Sequence, residues 1–380
     1  MKSVSRRTFF RSAGLTGAVA VASACGPAAA PAGQSQSAGV TAQGTWEKEW
    51  DDLIAAAKME GKLVLETLPG TGFRQLADAF EAAFPGIKVD QNAAAASTWA
   101  PKALQERKAG VYEWDIAQIP TITGFSVFPE GIFDPLRPVL FRPDVLDDTV
   151  WRGGLDFGFM DDDKKWVFLM GWNLGTPLWI NTDLVQEAEI KSSKDLLEPK
   201  WKGKIASFDP RTGGFSASPM TAMRLKHGDD VIKRLYGDQE AAISRDPRQL
   251  AEFVLRGRYP IGIGINSPVV DDFRTEGLAK NMKALYLEDF STLGGEYIWL
   301  VNRAPHPNVA KLYINWLLSQ KGQEVFTKTV GTNSRRSDVP PADPQTFPPE
   351  GAEKRFLSLG TQKMWPEVDK TRDLALAVLK

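Results

Sequence analysis

Gly61-Lys-Leu-Val-Leu-Glu-Thr-Leu-Pro-Gly-Thr-Gly72 runs into apolar residues at Phe73, Leu76, Ala77, Phe80, Ala83 and Phe84, stops at Pro85-Gly86, and is followed by Ile87-Lys-Val89. Leu63 to Leu65 is a short apolar run bounded by turn residues, which reads as a buried strand. The three- and four-residue spacing after Gly72 reads as an amphipathic helix. Strand, glycine loop, helix, strand is the unit of parallel sheets, because a crossover must carry the chain back before the next strand can pair. The fold class is therefore α/β.

Working outward, Trp46, Trp50, Leu53, Ile54 and Ala57 predict a helix closed at Gly61. Downstream, a helix is expected over Thr98–Ala109 and a third strand over Asp115–Ile119. Strands follow at Leu178–Ile180, Gly203–Phe208, Ile261–Ile265 and Gly295–Val301, with helices at Pro247–Leu255 and Ala310–Leu318. Phe133–Arg142 is punctuated by proline and is expected to be extended. Asp161-Asp-Asp-Lys164 reads as a solvated hairpin turn, since it lacks the alternating ligands and closing glutamate of a calcium loop.

Several function classes drop out. Gly70-x-Gly72 follows a strand, but Gln75 stands where a dinucleotide fold needs a small residue, and no Gly-Lys-Ser/Thr follows a glycine loop. Net charge is -1 with dispersed basic residues, so a nucleic-acid partner is not expected. No hydrolase elbow, zinc-protease motif or Cys/His pair can be assembled, which argues against an enzyme. No cofactor is expected.

The chain begins with Lys2, Arg6, Arg7 and Arg11 and continues as a small apolar run from Ala13 to Ala24, the order of an export signal. Ser5-Arg-Arg-Thr-Phe-Phe10 resembles a twin-arginine signal, and Ala22-Ser-Ala-Cys25 resembles a lipobox in which Cys25 carries the lipid. Cys25 is the sole cysteine, so lipidation also explains an otherwise unpaired thiol. Gly26–Thr45 then reads as a flexible tether, poor in residues that could build a core. These features place the mature chain outside the cytoplasm, held at the outer face of the cytoplasmic membrane or in the periplasm.

Asp209-Pro-Arg-Thr-Gly-Gly-Phe-Ser-Ala-Ser-Pro-Met-Thr-Ala-Met223 lies between a predicted strand and a predicted helix. Helix starts expose N–H donors and partial positive charge, and paired glycines let a ligand approach the backbone. Arg211, Thr212, Gly213, Gly214 and Ser216 are thus candidates for holding an anion. The plainer reading is a glycine turn before a helix capped by Ser218, with Pro219 at its first position.

Seven segments in order resemble the extracellular solute-binding proteins of ABC transporters, in the type 2 branch with ferric-iron, thiamine, polyamine and phosphonate binders. They are Glu60–Leu65, Phe80–Val89, Trp179–Leu184, Trp201–Ile205, Gly257–Ile263, Ala304–Lys311 and Ser319–Gln323. The resemblance implies a two-lobed clamshell with two hinge crossovers and a solute bound in the interlobe cleft. The first lobe would span 46–166 and 297–336 and the second 172–287, followed by a proline-rich segment and helix over 337–380. Implied partners are a small-molecule solute and ABC permease subunits, with the protein a monomer.

Carried over by position, the site takes Gly70, Thr71 and Gly72, then Thr121 after Pro120, from the first lobe. From the second it takes Arg211, Thr212, Gly213, Gly214, Ser216, Arg245 and Asn266. Trp172 and Trp179 would either wall the cleft or pack in the core. Ferric binders of this branch present adjacent tyrosines where this chain has Asn266-Ser-Pro-Val-Val270, so no metal ligand set is expected. An anionic or polar organic solute suits the arginines better, because a guanidinium binds carboxylate or phosphate in two-point fashion. A ferric-iron binder and an exported, lipid-anchored enzyme remain the alternatives.

Overall fold

The computed structural model describes residues 40–212 and 216–379. Helix α1 (Val40–Glu60) begins before the predicted start at Trp46 and buries Leu53 and Ala57. The signal and Cys25 lie outside the described residues, as do Gly213 and Gly214. The opening stretch forms β1 (Lys62–Thr67), α2 (Thr71–Ala83) and β2 (Lys88–Ala93), with β1 and β2 paired in parallel. Next come α3 (Ala96–Lys108), β3 (Ile116–Gln118), α4 (Thr121–Val127), β4 (Phe133–Asp134), α5 (Pro143–Leu146) and β5 (Val167–Gly175).

The chain then enters a second sheet through β6 (Leu178–Asn181), β7 (Ile205–Phe208), α6 (Ala217–His227), α7 (Asp230–Lys233) and β8 (Ala242–Ser244). It continues through α8 (Pro247–Leu255), β9 (Ile261–Ile263), α9 (Ser267–Thr275) and β10 (Met282–Leu285). The return is made by β11 (Thr292–Val301), α10 (Pro307–Leu318) and α11 (Gln320–Val330), then α12 (Ala352–Arg355), β12 (Leu357–Ser358) and α13 (Trp365–Val378).

The first sheet has the order β12-β11-β3-β1-β2, with β4 and β5 also pairing with β11. The second has the order β10-β6-β9-β7-β8. Successive side chains of a strand point to opposite faces, and the first sheet accordingly buries two cores. Leu63, Leu65, Ile116 and Ile298 join one, while Ala117, Ile119, Trp299 and Val301 join the other. Two further cores cover the second sheet, one with Ile205 and Ile263, the other with Ala206 and Ile265. The strands pass between the sheets twice, from β5 to β6 and from β10 to β11, giving two lobes and two crossovers.

Two local expectations are corrected. Phe133–Arg142 holds only the two-residue β4 and a short turn, because Leu136 and Arg137 donate their N–H groups to Lys165 O. Asp161 is not solvated. It is 1% exposed and accepts N–H bonds from Lys165, Trp166 and Val167, so one carboxylate clamps the turn while Asp162 and Asp163 face water.

Candidate functional site

In open parallel sheets, ligands bind beyond the carboxyl ends of the strands, where helices begin and backbone donors are unpaired. In the second sheet β7 pairs in parallel with both β8 and β9. Their carboxyl ends lead to Asp209–Thr212, to Arg245 and to Asn266.

Asp209 organises this end. Its side chain is fully buried, and its N–H donates to Ser244 O at 2.9 Å, fixing the β7 turn to the end of β8. Arg211 donates Nε to Oδ1 at 2.8 Å and Nη2 to Oδ2 at 2.9 Å, and Arg245 donates Nε to Oδ2 at 2.8 Å. The Arg211 bonds, helped by Arg245 and opposed by burial, hold the Asp209 carboxyl at about 2.

The two arginines differ in what remains. Arg211 also donates Nη1 to Leu379 O at 2.7 Å, so all three of its nitrogens are engaged. Arg245 uses only Nε, its side chain is 69% exposed, and its two terminal nitrogens have no protein partner among the described residues. Arg245 is therefore the arginine with donors left for a ligand.

Other predicted residues gather nearby. Thr212 Oγ1 donates to Asp209 O at 2.7 Å and so serves the turn. Ser216, not Ser218, stands at the N-cap of α6, because the helix starts at Ala217. The Ser216 side chain is wholly buried and its hydroxyl has no hydrogen-bond partner among the described residues. Gly264 has φ +77, and a Cβ there would stand 3.0 Å from Phe208 Cβ and 3.1 Å from Ser216 Cβ. That close approach seats the β9–α9 turn against the β7–α6 turn. Asn266 is the N-cap of α9, and its side chain makes no capping bond.

The first sheet offers a different surface. Gly70 is the N-cap of α2, and Gly70 and Thr71 are exposed beyond β1. Gly72 has a packing role, since a Cβ there would lie 2.3 Å from Thr329 O in α11. Thr121 is 4% exposed, and its hydroxyl bonds to Tyr297. The tryptophans are resolved toward the core. Trp172 is 1% exposed beside Phe157, and Trp179 is 2% exposed with Nε1 on Ile265 O at 3.2 Å.

Two carboxyls of the first sheet stand outside the residues expected from sequence. Glu66, wholly buried in β1, is pushed up to about 7 chiefly by burial, opposed by a bond from Asn92. One of its oxygens, Oε1, has no partner among the described residues. Glu296, half-buried at the β-bulge of β11 beside Gly171, has no hydrogen-bond partner among the described residues, and desolvation pushes it up to about 7. A charged residue inside an apolar strand is the signal that could have found both.

A cavity of about 470 Å³ between α6 and the C-terminal segment is lined by Lys226, Asp289, Arg355, Phe356 and Lys363 among others. None of the predicted site residues lines it. Among the described residues, no three His, Cys, Asp or Glu side chains gather to hold a metal ion.

Two α/β sheets joined by two crossovers, each presenting helix-start loops at its strand ends, define a two-lobed binding protein. Residues 65–324 match the family described as bacterial extracellular solute-binding protein. The chain belongs to that family, and it acts as the solute-binding component of an importer.

Solved structures share the fold at low identity. Iron-bound HitA from Pseudomonas aeruginosa is 17% identical, with TM-score 0.61 over 83% of this chain and 99% of its own. The Trichodesmium protein IdiA (FutA), in complex with iron and citrate, is 16% identical, with TM-score 0.65 over 84% and 99%. The spermidine/putrescine transporter protein PotD from Streptococcus pneumoniae is 17% identical, with TM-score 0.61 over 84% and 98%. No curated protein matches.

Proposed function

We propose that the protein captures a small anionic or polar organic solute between its lobes and hands it to the permease of an ABC importer. The observation that carries this is the Asp209 centre. A buried carboxylate aims Arg245 outward with its terminal donors unused, beside the helix starts at Ser216 and Asn266. The exposed Gly70–Thr71 turn at the start of α2 is the facing half. Lobe closure over the solute distinguishes loaded from empty for the membrane partner. The lobes follow the two sheets, so β5 through Gly175 and β11 from Thr292 go with the first lobe, beyond the expected 46–166 and 297–336, and the second begins at β6 (Leu178) rather than at the expected 172–287. The role is binding, without turnover.

Export through the twin-arginine-like signal and a lipid on Cys25 complete this reading, keeping the monomeric protein at the membrane that holds its permease. A thermal-shift screen over carboxylates, sugar phosphates, phosphonates, thiamine, polyamines, ferric iron and ferric citrate tests it. A ligand at a hundredfold its Kd adds about 2.7 kcal/mol of stability. A shift from an anion supports the proposal. A shift only from ferric iron or a polyamine overturns it and points to an iron or polyamine carrier instead, as with iron-bound HitA or the spermidine/putrescine protein PotD.

A further inference from the structure

The chain passes between the two sheets a third time, outside the crossover strands. On the first-lobe side, Ala352 and Phe356 are buried in the core that holds Trp299, and β12 pairs in parallel with β11 at Thr292 and Leu293. Gln362 N donates to Met160 O at 2.8 Å, and Asp162 N donates to Gln362 Oε1 at 3.2 Å. Gly360 lies so near Tyr297 that a Cβ would stand 2.3 Å from the phenol oxygen.

Three residues beyond Gln362 the chain is in α13, which belongs to the second lobe. Ala375 is wholly buried in the core with Met220 and Leu235, and Leu374, Val378 and Leu379 pack against it. Thr371, also wholly buried, lies 2.9 Å from Thr221 Oγ1 and accepts Arg224 Nε at 2.9 Å. Arg224 also pairs with Glu367, and Lys370 meets Asp229 at 2.8 Å. The helix ends where Leu379 O accepts from Arg211 Nη1 at 2.7 Å.

We propose that residues 351–379 form a strap joining the two lobes independently of the crossover strands, and that its end positions Arg211 at the candidate site through the Leu379 carbonyl. The inference rests on the two-lobed cleft reading and deepens it. Crossover strands hinge by bending a few residues, so they leave the opening angle loosely set. A strap anchored by a β-pairing on one lobe and a buried arginine–threonine cluster on the other limits that angle. Arg211 is a positioning residue in this scheme. It touches Asp209 and the strap, and through Asp209 it fixes Arg245. Lobe movement that strains the strap is therefore felt at the solute arginine.

The test uses the full chain carrying Cys25→Ser, with spin labels at Ala82→Cys in α2 and Lys280→Cys between α9 and β10, both exposed positions. A protease site inserted between Leu359 and Gly360 is cleaved, and interlobe distances are measured before and after without solute. Cleavage should shift or broaden the distribution by more than about 2 Å. Superimposable distributions overturn the strap, whether or not the released piece stays bound. Thr371→Val keeps the chain continuous and should speed amide exchange at Asp209, Arg211 and Thr212; unchanged exchange there overturns the positioning role. Neither readout needs a solute, so a failed solute screen and a failed strap remain distinguishable.

Discussion

The loop after β1 and the loop after β7 hold the same place in their sheets, each leading from a parallel strand into a helix, yet they are built differently. After β1 the turn is Pro69-Gly-Thr-Gly72, with Gly72 consumed by close packing on α11 and with no charged residue. After β7 a buried carboxylate gathers two guanidinium groups. In the proposed site the first loop would supply shape and backbone donors, and the second charge. Equivalent topology fixes where a ligand sits, while local chemistry decides what it is.

The sharpest way to break this contrast is to remove its charge centre. Asp209→Asn should cost about 3 kcal/mol, because two arginines lose a buried partner. Its carboxyl stands at about 2 in the fold against an ordinary 3.8. The stabilisation is therefore present above 3.8 and lost as pH falls through about 2, so denaturant unfolding should show wild type and variant converging in acid. Equal stability at neutral pH would mean the carboxylate does not hold the arginines.

Arg245→Ala should weaken binding of whichever anion emerges from the screen by about tenfold to a hundredfold, the loss of a charge-assisted contact. Arg211→Ala should act mainly on melting temperature. Calorimetric titration showing the reverse order would return Arg211 to direct contact.

Gly72→Ala should cost about 1–3 kcal/mol by overpacking against Thr329, whereas Thr71→Ala, on the exposed turn, should change stability by less than about 0.5 kcal/mol. Comparable losses at both would make the β1 loop a structural unit with no free surface.

A pH-dependent contrast comes from the two raised carboxyls of the first sheet. Glu66 and Glu296 keep their protons up to about 7 when folded but ionise near 4.5 when unfolded. The folded state binds more protons between those values, so stability should fall as pH rises from about 4.5 to 7 and level off above. Glu66→Gln and Glu296→Gln should each flatten that fall in melting temperature, and an unchanged slope would show that the carboxyl titrates normally.

Elements with their own periodicity were legible in the sequence. The helix over Pro247–Leu255 and the strand within Ile261–Ile265 came from local spacing, as did the unit from β1 to β2. Partnerships were less so. That Arg211 is filled by Leu379, 168 positions away, follows from where α13 docks, and no local pattern encodes that. Asp161 looked like one of three equivalent aspartates until the turn showed which carboxylate faces inward. The tryptophans were ambiguous because an indole buries as much area in a core as on a cleft wall.

The order of strands in the first sheet also governs how the protein can be made. β3 ends at Gln118, but its neighbour β11 starts only at Thr292, so that flank of the sheet stays open until the whole second lobe has been synthesised. Pairing across so long a loop is slow, and the waiting edge is a site for wrong association. Cytoplasmic folding assistance, or a route that holds the chain back until β11 has closed the sheet, would protect that edge during biogenesis.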